Sequence, residues 1–246
     1  MSSDLRFAHE LADVADAITL ARFRATDLRV DTKPDLTPVS EADRAAEEAI
    51  REHIAASGRG EGVLGEEFGD DGGAAKWIVD PIDGTTNYVR GVPVWATLLA
   101  LEREGVVVLG LVSAAALRRR WWAIRGEGAF ADGDRLRVSA IPQIEECAVS
   151  TTSSRRMPDG WRTIVQRAWS NRGLGDFWQH CLVAEGAIDI ACDSVMEVWD
   201  YAPVQIVVEE AGGRCTTFEG GTPHPKGSFV ATNGPLHDEV VTLLTA

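Results

Sequence analysis

The chain has 246 residues, 45% hydrophobic and 25% charged, which suits one large globular domain with a sizeable core. Its formal net charge of -14 argues against nucleic acid as the main partner, since a phosphate backbone needs a basic surface; it suits a protein that binds cations. No stretch reaches the roughly 20 apolar residues of a membrane span, no signal pattern is read near the start, and the cysteines are scattered without a CxxC pair, so reduced thiols in a cytoplasmic protein are expected.

Leu5 to Arg24 reads as a helix, with apolar residues at Leu11, Val14, Ala15, Ile18 and Ala21 near a 3.6 period. Thr26 to Val39 reads as a loop rich in Asp, Thr and Pro. Ser40 is placed to cap a second helix running to about Ala56, with Asp43 at its third position. Gly62 to Gly65 reads as a short strand delivering Glu66 and Glu67, and Phe68 to Lys76 as a loop. Trp77 to Val79 reads as a buried strand ending at Asp80, because Pro81 lacks an N–H. Asp83 follows, then Gly84, Thr85, Thr86 and Asn87, which suit a turn and a helix start. Apolar runs at Val94–Leu101, Val106–Val112 and Arg120–Ile124 read as an antiparallel meander. Glycines and aspartates from Gly126 to Asp134 punctuate further short strands.

Ile141-Pro142 divides this β-rich, metal-binding part (1–140) from an α/β part (141–246) of the same domain. Cys147–Ser150 reads as a strand, Gly160–Trp169 and Asp176–Glu185 as helices, and Gly186–Ala191 as the lead into a strand. Asp200–Ala211 reads as a strong helix, with Pro203 in its first turn and Gly212-Gly213 as its C-cap. Strands over Arg214–Phe218 and Ser228–Thr232 precede a closing helix, Pro235–Leu244.

The chemistry lies in the acids. Glu66, Asp80, Asp83 and Asp200 sit at strand ends or helix starts, where ligands bind in α/β proteins. Acids that converge without basic partners repel unless cations intervene. A donor set of oxygens, without Cys or His, favours Mg²⁺ or Mn²⁺ over Zn²⁺. N–H groups at a helix start after Gly84 would hold an anion such as phosphate. Each element alone has a plainer reading as a solvated turn.

Taken together, Gly65-Glu66-Glu67, the string Asp80-Pro81-Ile82-Asp83-Gly84-Thr85-Thr86-Asn87, Gly126-x-Gly128-Ala129-Phe130, Trp199-Asp200 and Glu210-Ala211-Gly212-Gly213 resemble the inositol monophosphatase superfamily in order and spacing. Within it the chain looks most like the histidinol-phosphate phosphatases. The segments that carry this are Asp31-Thr32-Lys33-Pro34-Asp35, Asn87 to Trp95, Arg120-Trp121-Trp122-Ala123, Gly175-Asp176-Phe177 and Cys181 to Gly186. The resemblance implies a layered α/β fold of αβαβα order and Mg²⁺-dependent hydrolysis of a phosphate monoester, with two or three ions per site, Mn²⁺ serving as well. It implies L-histidinol phosphate as substrate, in histidine biosynthesis, and a homodimer.

Carried over residue by residue, Glu66, Asp80 and the carbonyl of Ile82 match a first metal site, and Asp80, Asp83 and Asp200 a second. Glu67 resembles a third, water-mediated position. Gly84 and Thr85 match phosphate-binding N–H groups, and Glu66 and Thr85 contact the attacking water. Asp43 accepts from the Thr85 hydroxyl, unless it serves only its helix start. Lys33 matches a mobile-loop lysine near the metals, or is an ordinary loop lysine. For the leaving alcohol, Gly175, Asp176 and Asp193 are the candidates, because histidinol carries an amine and an imidazole; Asp176 also suits a helix start. Glu185 is read as a solvated helix end, His180 as a packed histidine, and Trp95, Trp121, Trp122, Trp161, Trp169 and Trp178 as core or interface residues. The rival readings are an inositol monophosphatase, more remotely a nucleotide 3′-phosphatase, and a non-catalytic regulator on the same fold.

Overall fold

The computed structural model describes residues 2–34 and 36–246; Met1 and Asp35, the latter part of a motif quoted above, lie outside it. Helix α1 (Ser3–Arg22) begins at Ser2, whose hydroxyl accepts from the Leu5 N–H. Strands β1 (Val30–Thr32) and β2 (Pro38–Ser40) pair antiparallel, Val30 opposite Ser40, where the composition suggested only loop. Pro38 is tolerated because it opens the strand of a two-stranded ribbon. Helix α2 (Glu41–Ser57) starts from Ser40 with the expected capping box. Strands β3 (Gly62–Gly65), β4 (Gly69–Asp70) and β5 (Ala75–Asp83) lead to the short helix α3 (Thr85–Val89). The meander β6 (Ala96–Arg103), β7 (Val106–Ala114) and β8 (Arg119–Ile124) follows, then β9 (Gly128–Ala131) and β10 (Asp134–Arg135).

The remainder alternates: β11 (Ala148–Thr151), α4 (Asp159–Arg167), β12 (Ser170–Arg172), α5 (Asp176–Ala184), β13 (Ile190–Met196), α6 (Val198–Glu210), β14 (Arg214–Thr216), β15 (Gly227–Thr232) and α7 (His237–Leu244). Among the described residues the strands form an eight-stranded sheet, ordered β10-β9-β8-β7-β6-β5-β3-β4, and a five-stranded sheet, ordered β12-β11-β13-β15-β14. None of these helices is long and apolar enough to cross a membrane.

The layers follow from side-chain alternation along the strands. Trp77 and Val79 of β5, with Leu99 and Leu101 of β6, face Leu11 of α1 and Ile50 of α2. Their neighbours Ile78, Leu98 and Ala100 point the other way, against Phe177 of α5 and Val204 and Val208 of α6. A sheet buried on both faces therefore reads as continuous apolar runs. Complete burial of one such side chain, Ile78 for example, stabilises the fold by about 1.5–3 kcal/mol. The far face of the smaller sheet, Val149, Ile190 and Val230, packs on Trp161 of α4 and Val240 of α7. The order is helices, sheet, helices, sheet, helices.

β4 and the first residues of β5 fall within Phe68–Lys76, read above as a loop, and at three prolines the element boundaries also differ from the sequence reading. β5 does not stop at Asp80 but continues through Pro81 to Asp83. Asp80 opposes Leu98 and Asp83 opposes Ala96, so β5 carries one extra residue there. That bulge absorbs the missing N–H of the proline and turns the strand end. α6 begins at Val198, which places Pro203 in the helix interior rather than its first turn. α7 begins at His237, beyond Pro235.

Candidate active site

The bulge in β5 places Asp80 and Asp83 beside the start of α6. One carboxylate oxygen from each of Asp80, Asp83 and Asp200 lies within 4.8 Å of the others. Each carboxylate also has an oxygen held by a backbone N–H. Asp80 Oδ1 accepts from Ile82 at 2.9 Å, Asp83 Oδ2 from Phe177 at 2.7 Å, and Asp200 Oδ2 from Glu197 at 2.9 Å. Two of these donors belong to a helix start: Phe177 in the first turn of α5, and Glu197 at the N-cap of α6. The carboxylates are thus oriented by main chain from three separate elements.

Glu66 and Glu67 leave β3 on the same side. Lys33, in the turn between β1 and β2, places Nζ 2.6 Å from Glu66 Oε1 and 2.6 Å from Glu67 Oε1. Gly65 is needed here because a Cβ would lie 2.0 Å from Glu47 Oε1. Buried Glu47 accepts from the N–H groups of Glu67 (2.8 Å) and Phe68 (3.2 Å) and from Arg51 Nε (2.9 Å), and so fixes the turn that presents the two glutamates. Gly84, at φ 80°, caps α3 in a conformation that disfavours side chains, and no side chain caps that helix. The Thr85 hydroxyl lies 2.9 Å from the Ile82 carbonyl and 3.2 Å from Asp43 Oδ1. Asp43 Oδ2 accepts from Ser40 N and Oγ at 2.8 and 2.6 Å, so this carboxylate serves the helix start and faces Thr85 at once.

These groups surround a cleft of about 510 Å³ lined by Lys33, Glu66, Asp80, Ile82, Asp83, Gly84, Thr85, Asp176 and Asp200. An adjoining hollow of about 470 Å³ shares Asp83, Asp176 and Asp200 and adds Thr152, Asp193 and Ser194. Glu67, Asp43 and Gly175 do not line either space; Glu67 is joined through Lys33 and Asp43 through Thr85. Gly175, at φ 69°, is the N-cap that turns the chain into Asp176. Asp176 Oδ2 accepts from Asn87 Nδ2 at 3.1 Å, which ties the start of α5 to α3.

Burial, with the charges of Glu66, Asp83 and Asp200 adding to it, pushes Asp80 well above the usual carboxylate range. Burial and then the charges of Asp176 and Asp200 do the same to Asp83. Burial raises Asp200 to about 7 and Asp43 to about 6. Asp176 also rises to about 6, by burial and then by the charge of Asp193. Burial lowers the Lys33 ammonium, but the bonds to Glu66 and Glu67 outweigh it and hold that group charged. Oxygen donors alone, pre-aimed and mutually repelling, fit a hard divalent cation.

A protein-family model described as the inositol monophosphatase family matches residues 1–245. The chain belongs to that family. It is 51% identical to the histidinol-phosphatase of Mycobacterium tuberculosis, across 99% of this chain and 98% of that one. It is 47% identical to the histidinol-phosphatase of Streptomyces coelicolor, across 98% and 96%. The solved structure of a Thermotoga maritima IMPase superposes with a TM-score of 0.92 at 33% identity, covering 99% of this chain and 97% of that one. Family and layered fold are as the motifs implied, and the chain is a phosphoric monoester hydrolase of this family.

Other residues at the site had no role in the sequence reading. Arg156 lines both spaces, and Glu197 and Trp199 line the first. The basic pair Arg155-Arg156 in so acidic a chain was a usable signal; so was Glu197, three residues before Asp200. Glu185 is not a solvated helix end. Its Oε1 accepts from Trp121 Nε1 at 2.5 Å and pairs with Arg119 at 2.9 Å, because the end of α5 packs on β8. Of the tryptophans, Trp95, Trp121 and Trp161 are buried, whereas Trp169 is 75% exposed.

Proposed function

We propose that this protein is a histidinol-phosphatase: with Mg²⁺ or Mn²⁺ it hydrolyses L-histidinol phosphate to L-histidinol and phosphate, in L-histidine biosynthesis. The observation that carries the metal-dependent reading is the convergence of Asp80, Asp83 and Asp200 within 4.8 Å, each pinned by a backbone N–H. The substrate rests on similarity to proteins named histidinol-phosphatase and on the acids Asp176 and Asp193 beside the cleft. We take residues 1–246 as one domain, because the central core joins Ile78 and Leu98 to Phe177 and Val204. A cytoplasmic homodimer completes the proposal; the free, buried cysteines fit a reducing compartment.

In this reading Glu66, Asp80 and the Ile82 carbonyl hold one cation, Asp80, Asp83 and Asp200 a second, and Glu67 stands beside a third. When bound, such ions acidify water and offset charge on the phosphoryl and leaving oxygens. The N–H groups of Gly84 and Thr85 hold the phosphoryl oxygens at the start of α3. The Thr85 hydroxyl orients the attacking water together with Glu66. Asp43, raised to about 6, is poised to take a proton through Thr85. Asp176 and Asp193 receive the cationic leaving group.

Phosphate release from L-histidinol phosphate, inositol 1-phosphate and a nucleoside 3′-phosphate, with Mg²⁺ and with EDTA, tests this. Histidinol phosphate is expected to give the highest kcat/KM, and EDTA to stop turnover. A large preference for inositol 1-phosphate would replace the substrate assignment. Absence of turnover, and of Mg²⁺-dependent thermal stabilisation, would favour a regulator.

A further inference from the structure

Behind the leaving-group side of the cleft lie two buried polar side chains, Gln179 and His180, that the mechanism above leaves unused and that both bond to Asp193. Asp193 Oδ2 accepts from Gln179 Nε2 at 2.5 Å and lies 2.9 Å from His180 Nε2. Its Oδ1 accepts from the Thr152 N–H at 3.2 Å. Gln179 and His180 are both completely buried. They are consecutive on α5, where neighbouring side chains point about 100° apart. Both nevertheless reach the same carboxylate oxygen. The His180 ring also packs edge-on against Phe229, with centroids 5.1 Å apart, which holds its plane.

The hydrogen on the ring follows from what surrounds it. His180 Nδ1 and Gln179 Oε1 are buried without a hydrogen-bond partner among the described residues. A hydrogen on Nδ1 would be an unpaired buried donor, so the ring carries it on Nε2 and donates to Asp193. Three neutral donors therefore hold this carboxylate, and none cancels its charge. Asp176 stands close enough in the cleft for the charge of Asp193 to raise it. Arg155 and Arg156 line the same hollow, but neither forms an ion pair with Asp193 among the described residues, so a cation entering the cleft supplies the counter-charge this anion lacks.

We infer that His180 is a positioning residue: together with Gln179 it holds Asp193 as an anion facing the leaving-group pocket, and so selects phosphate esters whose alcohol carries a positive charge. This rests on the proposed cationic leaving group.

The test is steady-state kinetics of the full-length, Mg²⁺-loaded enzyme on L-histidinol phosphate and on inositol 1-phosphate, which has a neutral alcohol. His180→Leu is expected to lower the ratio of the two kcat/KM values roughly tenfold or more, through KM for the cationic ester. His180→Gln, which offers an amide N–H, is expected to restore most of it. In an Asp193→Asn background, His180→Leu is expected to remove little more. Equal losses on both esters, or an unchanged ratio in a folded His180→Leu protein, overturn the inference. A wild type without preference for the cationic ester removes the substrate reading and this inference with it; a preference that survives His180→Leu overturns this inference alone. The ¹⁵N shifts of His180 in the wild type read out the same point without a variant. A neutral Nε2–H ring is expected, and a ring protonated at both nitrogens would overturn the inference.

Discussion

Replacing Asp200 with Asn is expected to stabilise the metal-free protein while abolishing its response to Mg²⁺. Burial raises this carboxyl from 3.8 to about 7, and the charges of Glu66, Glu197 and Asp193 act in the same direction. Below pH 3.8 the group is protonated in folded and unfolded chains alike and costs nothing. As the pH rises towards 7 the unfolded chain ionises while the folded one keeps its proton, so stability is lost. Once the folded carboxyl ionises too, the penalty levels off at about 4 kcal/mol. At this chain length that corresponds to a melting-temperature difference of roughly 10 °C. Asn keeps an oxygen for the Glu197 N–H and carries no charge, so the variant escapes the penalty. The assay is thermal unfolding of both proteins in EDTA from pH 5 to pH 8, repeated with Mg²⁺. The variant should melt increasingly above the wild type as pH rises, and the order should reverse with Mg²⁺. A melting difference independent of pH, or an equal Mg²⁺ response in the variant, would refute the account of charge crowding.

Gly65→Ala drives a Cβ into Glu47; a loss of about 2–4 kcal/mol in urea unfolding is expected, and an unchanged midpoint would show that Glu47 moves freely. Lys33→Met withdraws the ammonium that sits 2.6 Å from Glu66 and from Glu67. The Mg²⁺ concentration for half-maximal activity should then fall severalfold; a rise would assign the lysine a supporting role instead. Thr85→Val removes the hydroxyl that faces Asp43 and the Ile82 carbonyl. It is expected to lower kcat roughly 10²-fold or more with KM little changed, measured at saturating Mg²⁺; a loss confined to KM would place Thr85 in binding alone.

Much of the fold was legible because local chemistry and burial agree. The Ser40–Asp43 capping box, the β6–β7–β8 meander and the Gly212 stop of α6 each depend on residues close in sequence. The misreadings have a common cause in tertiary context. Pro81 reads as a strand end until β6 offers a partner strand that accommodates a bulge. The segment around Lys33 reads as a loop because no local pattern announces that Val30 will face Ser40. Glu185 reads as solvated because Trp121 and Arg119 are 64 and 66 residues away. His180 reads as a packed histidine, which it is, but its partner Asp193 belongs to another element.

The sequence by itself determined the family, the reaction class and which acids would be brought together, because the string from Asp80 to Asn87 concentrates carboxylates and helix-start N–H groups in a few residues. Only the tertiary structure decided how those acids are aimed, since the backbone N–H groups that hold Asp83 and Asp200 come from the starts of α5 and α6. It also decided the surroundings of Asp193. The orientation of a carboxylate depends on donors that surround it in space, and for Asp193 these come from α5 and the chain after β11, neither of them its neighbour in sequence.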